Sequence, residues 1–266
     1  MRAYTTSAIV LRRLAYGETD KILTLYSRER GRFSAIAKGA RKPISRLSGA
    51  TEVLTLTRFG LATGKSLDVV SQAEIKESFP RLRSDLNRLA HALYLADLVD
   101  HSVEDHESNP ILYDLLIAGL YLLQRDIAPE LVARWFEVQL IQDLGYAPDF
   151  AVCGVCADRV DAGLVNETLA LSISHGSVIC TLHARPASNS DHSALSGESL
   201  ALLLDLATLG TDRGDLLTHT HIPDPRSMTL TRLALRRFLR FHLERDLKSL
   251  EFLDSISPTT KNAGPV

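Results

Sequence analysis

The sequence predicts an α+β fold in which a small five-stranded barrel is followed by an all-α helical bundle that a short non-helical insert interrupts. Three observations carry this. Residues 1–80 read as β-rich segments punctuated by turns, residues 81–150 and 191–250 read as amphipathic helices, and residues 151–190 hold every cysteine of the chain. A 45% hydrophobic and 23% charged composition over 266 residues excludes disorder as the main state.

The first strand is expected over Thr6 to Leu14, around Ile9-Val10-Leu11. Lys21 to Ser27 and Arg32 to Lys38 follow, with Arg30-Gly31 as the turn between them. A basic loop containing Pro and Gly, Lys38 to Gly49, leads to a fourth strand over Glu52 to Phe59, whose Val53, Thr55, Thr57 and Phe59 share a face. Gly60 to Gly64 is the expected turn. In the fifth strand Leu67, Val69, Ser71, Ala73 and Ile75 alternate with Asp68, Val70, Gln72 and Glu74, the period of a half-buried strand. Five strands with no covering helix of their own bury a single core only by closing, and the OB-fold is the commonest such barrel. An SH3-like barrel is its rival.

Near Pro80 the period changes. Leu82, Leu86, Leu89, Ala90 and Leu93 mark one apolar stripe of a helix from about Arg81 to Val103. Asn109 and Pro110 cap and open a second helix to about Arg125, and Pro129 opens a third, lined by Leu131, Val132, Trp135, Phe136 and Leu140 and stopped by Gly145. Ser196 to Leu209 and Ser227 to Leu250 give two more. Residues 251–266 read as a flexible tail.

The insert holds Cys153-Gly154-Val155-Cys156 and then, after 23 intervening residues, Cys180-Thr181-Leu182-His183. Two ligand pairs at this spacing suit one tetrahedral zinc ion bound by Cys153, Cys156, Cys180 and His183, with a hairpin over Leu164 to Ile179 between them. With no open coordination position the zinc is structural. His175 is an alternative fourth ligand. A redox pair at Cys153 and Cys156 lacks the βαβ context that such chemistry uses.

Charge is segregated along the chain. Residues 1–80 carry 14 Lys and Arg against 7 Asp and Glu, or +7, and the remainder carries −9, which together give the net −2. Between positions 28 and 46 only Glu29 accompanies Arg28, Arg30, Arg32, Lys38, Arg41, Lys42 and Arg46. Phosphate is the natural partner of such a patch. The candidate contacts are Arg30, Arg32, Lys38, Arg41, Lys42 and Arg46, with Tyr26 and Phe33 nearby as stacking or core residues; alternation favours the core for Phe33. Arg232, Arg236 and Arg240, with Arg237 alongside, form a second cationic face at helical spacing, either paired with the acidic bundle or available as a second contact. No phosphate-cradling glycine loop, dinucleotide turn or G-x-S-x-G motif occurs, and His219-Thr220-His221 is weak as half of a hydrolase metal site. The sequence therefore predicts no enzyme. No run of about 18 apolar residues and no secretory leader is present, so the expected location is cytoplasmic, without membrane contact.

The order of parts resembles a known family. Thr6-Ser7-Ala8-Ile9-Val10-Leu11, Tyr16-Gly17-Glu18-Thr19-Asp20-Lys21-Ile22-Leu23, Gly31-Arg32-Phe33-Ser34-Ala35-Ile36-Ala37-Lys38-Gly39-Ala40-Arg41, Leu144-Gly145-Tyr146-Ala147-Pro148 and Cys153-x-x-Cys156 together resemble the RecO recombination-mediator family over most of residues 5–250. One departure is His183, where zinc-containing members end a second Cys-x-x-Cys. The resemblance implies a non-catalytic, nucleoid-associated DNA-repair protein. It would bind single- and double-stranded DNA, anneal complementary strands, and work with RecR to load RecA onto DNA coated by single-stranded-DNA-binding protein, whose acidic C-terminal tail it would contact. The alternative is an RNA-binding or ribosome-associated module built on the same barrel and zinc ribbon.

Overall fold

Alternating apolar residues set five strands: β1 (Ala3–Tyr16), β2 (Asp20–Ser27), β3 (Gly31–Ala37), β4 (Leu56–Ala62) and β5 (Asp68–Glu77). In the computed structural model they close into a barrel in the order β1-β2-β3-β5-β4. The structure describes residues 2–161, 163, 169–184, 191–210, 217, 220–244 and 247–256. Closure depends on the length of β1. Its first half pairs with β4 and its second half with β2, and a register shift between Val10 and Arg12 turns the strand from one wall to the other. Parallel pairing of Ala35 with Asp68 and Ile36 with Val69 completes the circuit.

Val10, Leu23, Leu25, Phe33, Phe59, Leu61 and Val70 fill the interior, and burial of side chains this size is worth about 1.5–3 kcal/mol each. Two details differ from the sequence reading. The fourth strand begins at Leu56 because a 3-10 turn at Gly49–Thr51 and a left-handed Leu54 delay it. Gly60 lies inside that strand, and a register shift at Gly60/Leu61 breaks the simple alternation of β5, so that Val70 joins the core while Ile75 stays 47% exposed.

The predicted first helix is two: α1 (Pro80–Ser84) and α2 (Leu86–Ser102). Asp85 breaks the run, leaving helical geometry so that its carboxylate accepts from the N–H groups of Asn87 and Arg88 as an N-cap. Of the predicted stripe, Leu82 and Ala90 are buried, Leu89 and Leu93 are half-buried, and Leu86 leaves it. Leu86 is 58% exposed, while Ala90, Tyr94, Leu95, Leu98 and Val99 are buried. α3 (Pro110–Leu123) starts as expected, with Asn109 Oδ1 accepting from Leu112 N at 2.9 Å. The expected helix over Ser227 to Leu250 also divides, at a left-handed Glu244, into α6 (Pro225–Leu243) and α7 (Lys248–Ile256). α7 packs on α2, with the backbone N–H and hydroxyl of Ser249 donating to Asp97, so 251–256 is helix and not tail. Positions 257–266 lie outside the described residues.

The helices consequently do not form the single bundle read from the sequence. One compact unit comprises the barrel, α1, α2, α3 and, from Leu247 onward, α7; the other spans 125–246. The second unit contains α4 (Pro129–Asp143), a four-stranded sheet, α5 (Gly197–Leu209) and α6. Its strands β6 (Asp149–Cys153), β7 (Leu169–Ser172), β8 (Ser177–Ile179) and β9 (His192–Leu195) lie in the order β6-β8-β7-β9. The sheet thus reaches beyond both ends of the predicted 151–190 insert. β7 and β8 form an antiparallel hairpin; residues 164–168 of the predicted hairpin lie outside the described residues.

In the first unit the barrel is locked to its own helices by charge. Asp100 on α2, 2% exposed, pairs with Arg12 of β1 at 2.8 Å and with Arg32 of β3 at 3.4 Å, and Arg32 also reaches Asp105 at 2.7 Å. Gly31 makes a second tight contact, since a Cβ there would sit 1.8 Å from the carbonyl oxygen of Glu107. Removing one partner of a buried ion cluster strands the others. Asp100→Ala is therefore expected to lower unfolding free energy by about 3 kcal/mol, measurable as a reduced urea midpoint with an unchanged denaturant slope.

Candidate nucleic-acid interface and metal centre

Structure sorts the N-terminal cations into those the fold uses and those it leaves to solvent. Arg12 and Arg32 belong to Asp100, Arg13 and the buried Lys21 to Glu52, and Arg28 to Asp114. Arg32, a predicted phosphate contact, is thus withdrawn: its side chain is 17% exposed and already held by two carboxylates and the Asp100 carbonyl. Tyr26 and Phe33, 0% and 1% exposed, are core residues; the Tyr26 hydroxyl donates to Asn109 O and its ring packs on Tyr113. Neither is available to stack on a base.

Four of the other predicted contacts share one loop after β3, and Arg30 lies on the turn before β3, at that strand's opposite end. Lys38, Arg41, Lys42 and Arg46 are exposed on the loop between β3 and the 3-10 turn, and Arg30 is half-buried, its guanidinium 4.2 Å above the Tyr4 ring. Consecutive turns hold the loop. Lys42 N donates to Gly39 O, Ser45 N to Lys42 O and Ser48 N to Ser45 O, while Arg41 ties its base to the β1–β2 turn through Thr19 O and Gly17 O. The Asp20 carboxylate accepts from Gly39 N and the Thr19 hydroxyl, and these bonds, the Gly39 one foremost, hold its pKa below the usual carboxylate value. A lowered carboxylate pKa means that this pin is fully made above about pH 4 and is released as acidification protonates Asp20.

The second predicted basic face runs along α6. Arg232 is mostly buried and lies 3.9 Å from Glu130, Arg237 donates to His192 O, Arg236 is half-buried and Arg240 is exposed. This stripe is divided between internal contacts and solvent. Sequence periodicity could not separate the two, because i, i+4 spacing gives a face but not what covers it. Of the His219-Thr220-His221 element, His219 lies outside the described residues, and His221 joins no metal-competent cluster among them.

In the second unit, ligand atoms of Cys153, Cys156, Cys180 and His183 all lie within 4.8 Å of one another. Cys156 Sγ and Cys180 Sγ are 3.9 Å apart, and Cys180 Sγ is 3.2 Å from His183 Nδ1. Metal–sulfur bonds of about 2.3 Å at a tetrahedral centre separate two sulfurs by about 3.8 Å, so the cluster fits a single ion. Two tight turns produce it. Ala157 N donates to Cys153 O, with Ala157 left-handed at φ 61°, and the N–H groups of His183 and Ala184 both donate to Cys180 O.

Burial raises the Cys153 thiol, but N–H groups of Cys180, Cys156 and Val155 outweigh it and bring the pKa down to about 6. The Asp158 N–H lowers Cys156, yet desolvation and hydrogen bonds to Cys153, Asp158 and Cys180 raise it to about 11. Thiols packed this closely cannot all ionise without a cation between them. His175 is not in the cluster. It is turned to the hydroxyls of Ser172 and Ser174, themselves bound to Asp191.

A closed barrel with an exposed basic loop, its own helical cover, and a second α+β unit that contains a metal-competent cluster of three cysteines and a histidine define a two-unit class of protein. Comparison with known proteins specifies it. Residues 1–79 match the family described as Recombination protein O N terminal, and residues 83–251 match Recombination protein O C terminal. Among curated proteins, the DNA repair protein RecO of Pelotomaculum thermopropionicum is 40% identical over 99% of this chain and 98% of its own. That of Heliobacterium modesticaldum is 36% identical over 96% and 91%, and that of Desulforamulus reducens 33% over 99% of both chains. The chain belongs to the RecO family.

Protein prepared without chelators is expected to contain about one equivalent of metal per chain by elemental analysis. His183→Ala should lose most of it and His175→Ala should keep it. The opposite pattern would exchange the two histidines, and a metal-free parent protein would remove the site.

Proposed function

We propose that the protein is a DNA-repair and recombination mediator that binds single- and double-stranded DNA and anneals complementary strands. With RecR it helps to load RecA onto DNA coated by single-stranded-DNA-binding protein. The observation that carries this reading, beside the family, is the exposed cation set of Lys38, Arg41, Lys42 and Arg46 on one pinned loop, with Arg30 on the β2–β3 turn of the barrel. The strand order and the parallel β3–β5 closure suit an OB-type barrel, a fold whose surface binds oligonucleotides.

No bond is made or broken in such a reaction. Lys and Arg at the phosphates release condensed counterions, which drives binding regardless of base sequence. The same neutralisation, applied to two strands, removes the repulsion that keeps complementary sequences apart. Because turns and the Asp20 carboxylate hold the loop before ligand arrives, little ordering entropy is lost on contact. The residues would act at the backbone, and base pairing would supply all of the specificity.

Arg240 stands exposed beside Phe241, which is 59% exposed, and Tyr146 stacks on His242 at 4.3 Å. A cation next to exposed rings is the chemistry that an acidic peptide with apolar residues requires, so this surface of α6 is the proposed receptor for the single-stranded-DNA-binding protein tail. The ion at Cys153, Cys156, Cys180 and His183 is proposed to be zinc, which three thiolates and an imidazole suit. Four protein ligands leave it no position for substrate. Its role is to hold the insert, and such binding contributes on the order of 10 kcal/mol to local folding. Nothing in the fold favours the RNA-binding alternative.

Replacing Arg41 and Lys42 together by Glu tests the interface. Affinity for a fluorescent single strand should fall at least tenfold for every base sequence, and the slope of log affinity against log salt should shrink by about 1.4, for two phosphates at about 0.7 each. An unchanged slope would take the loop out of the interface.

A further inference from the structure

We propose that a nucleic-acid strand held by the loop continues along an open groove on the β1–β4–β5 wall of the barrel, with Arg58 at its floor as the central phosphate contact. The inference rests on the DNA-binding reading above and specifies its path. OB-type barrels usually receive oligonucleotides across strands 2 and 3. Here the β2–β3 hairpin is occupied by the chain itself: Arg28 pairs with Asp114, Arg32 with Asp105, the Tyr26 hydroxyl donates to Asn109 O, and His106 N donates to Arg32 O. A ligand that follows the loop must go elsewhere.

Two adjoining concavities of about 650 and 520 Å³ open on the other wall, and both are lined by Thr5 and Arg58. The larger runs past Arg46, so it begins where the basic loop ends; the smaller ends at Arg30. Arg58 sits between them. Its strand neighbours Thr57 and Phe59 are buried, which turns Arg58 outward, in register with Ser7 on β1 and Glu74 on β5.

Among the described residues, no hydrogen bond or ion pair engages the side chain of Arg46 or Arg58, and the buried Nε of Arg30 has no hydrogen-bond partner. Two carboxylates also line the groove. Glu74 is bridged to Lys76 at 2.6 Å, and Glu29 accepts from the Thr6 hydroxyl at 3.0 Å. Arg58 also interacts electrostatically with Glu74, and Glu29 with Arg28, so the three guanidinium groups of Arg30, Arg46 and Arg58 outnumber the two carboxylates along the groove, both of which have cationic neighbours.

Gly60 keeps the floor low, since a Cβ there would meet Gln72 Cβ and Ser71 Oγ at 3.3 Å. Thr5, Ser71 and Gln72 are neutral, and Tyr4, the ring at this end, is covered by Arg30. Cations spread along a polar, open channel suit a sugar-phosphate backbone and offer little to a base.

The test is equilibrium binding of a single strand of ~15 nucleotides, a length within the range that one such fold covers, by Arg58→Glu, Arg58→Lys and Lys65→Glu. Lys65 is an exposed barrel cation outside the groove and controls for net charge. Arg58→Glu is expected to weaken binding about tenfold and to lower the salt slope by about 0.7, with Arg58→Lys close to the parent and Lys65→Glu affected much less. Equal affinities and slopes for Arg58→Glu and Lys65→Glu would overturn the groove. If Arg41→Glu/Lys42→Glu still lost binding, the loop reading would survive that result. A parent protein that bound no strand would remove both.

Discussion

A buried carboxylate organises the first unit. Asp100 is almost fully removed from water, and its charge is tolerated only because Arg12 and Arg32 meet it from two different strands. That triad decides where α2 lies on the barrel, brings the segment after it into pairing with Arg32, and closes the β2–β3 hairpin against the chain. It also divides the basic residues by task. An arginine held by a buried aspartate has its donors committed and contributes little field at the surface, whereas one on the neighbouring loop keeps its full charge for a ligand. The proposed interface is defined as much by the cations that the fold consumes as by those it leaves exposed.

The second unit meets a different constraint. Its four strands are three to five residues long, and the apolar cluster beneath them consists of Cys153, Ala170 and Ile179 with Cys156, Val160, Cys180 and Ala184 around it. Three of those seven side chains are thiols. The strands also bury Phe150, Leu169, Leu171, Val178 and Leu195, but on the cysteine side the apolar cluster is small, and bringing three sulfurs together there without a cation adds electrostatic cost. Gly154 completes the geometry, since a Cβ there would lie 2.1 Å from Ser177 Oγ and 2.8 Å from His175 Cβ, so the first cysteine turn fits only with hydrogen at that position.

Local rules made much of this legible. The five strands, the Asn109 and Pro110 start of α3, and the partnership of Cys153, Cys156, Cys180 and His183 all depend on spacings within a few residues or on one pair of turns. What escaped was set by distant parts of the chain. Asp85 and Glu244 each break a run whose apolar period continues across them, one as an N-cap and the other through a left-handed backbone. No period reveals that α7 returns to α2, because the reason is Asp97 meeting Ser249 across 152 positions. Arg32 failed as a predicted ligand contact for the same reason. Its partners lie 68 and 73 residues away, and its neighbours in sequence give no sign of them. Arg58 was missed because it stands alone in sequence, outside any charge run, and becomes part of a cationic path only when β4 is set between β1 and β5.

The salt dependence proposed for the interface follows from how these cations are placed, and not from the charge of the chain. The net value of −2 predicts no attraction for a polyanion, and even the +7 of the first 80 residues overstates it once the paired arginines are set aside. At physiological ionic strength, fields are screened over about 8 Å, so a phosphate lying against the barrel would respond mainly to the charges immediately beside it. In the proposed interface a phosphate would meet Lys38, Arg41, Lys42, Arg46 and Arg58, none of them ion-paired among the described residues, on a surface kept in shape by backbone turns, the Asp20 carboxylate and the Arg41 bond to Gly17 O. A contact of that kind grips the backbone and leaves the bases exposed, which is the condition under which one bound strand can still be read by another.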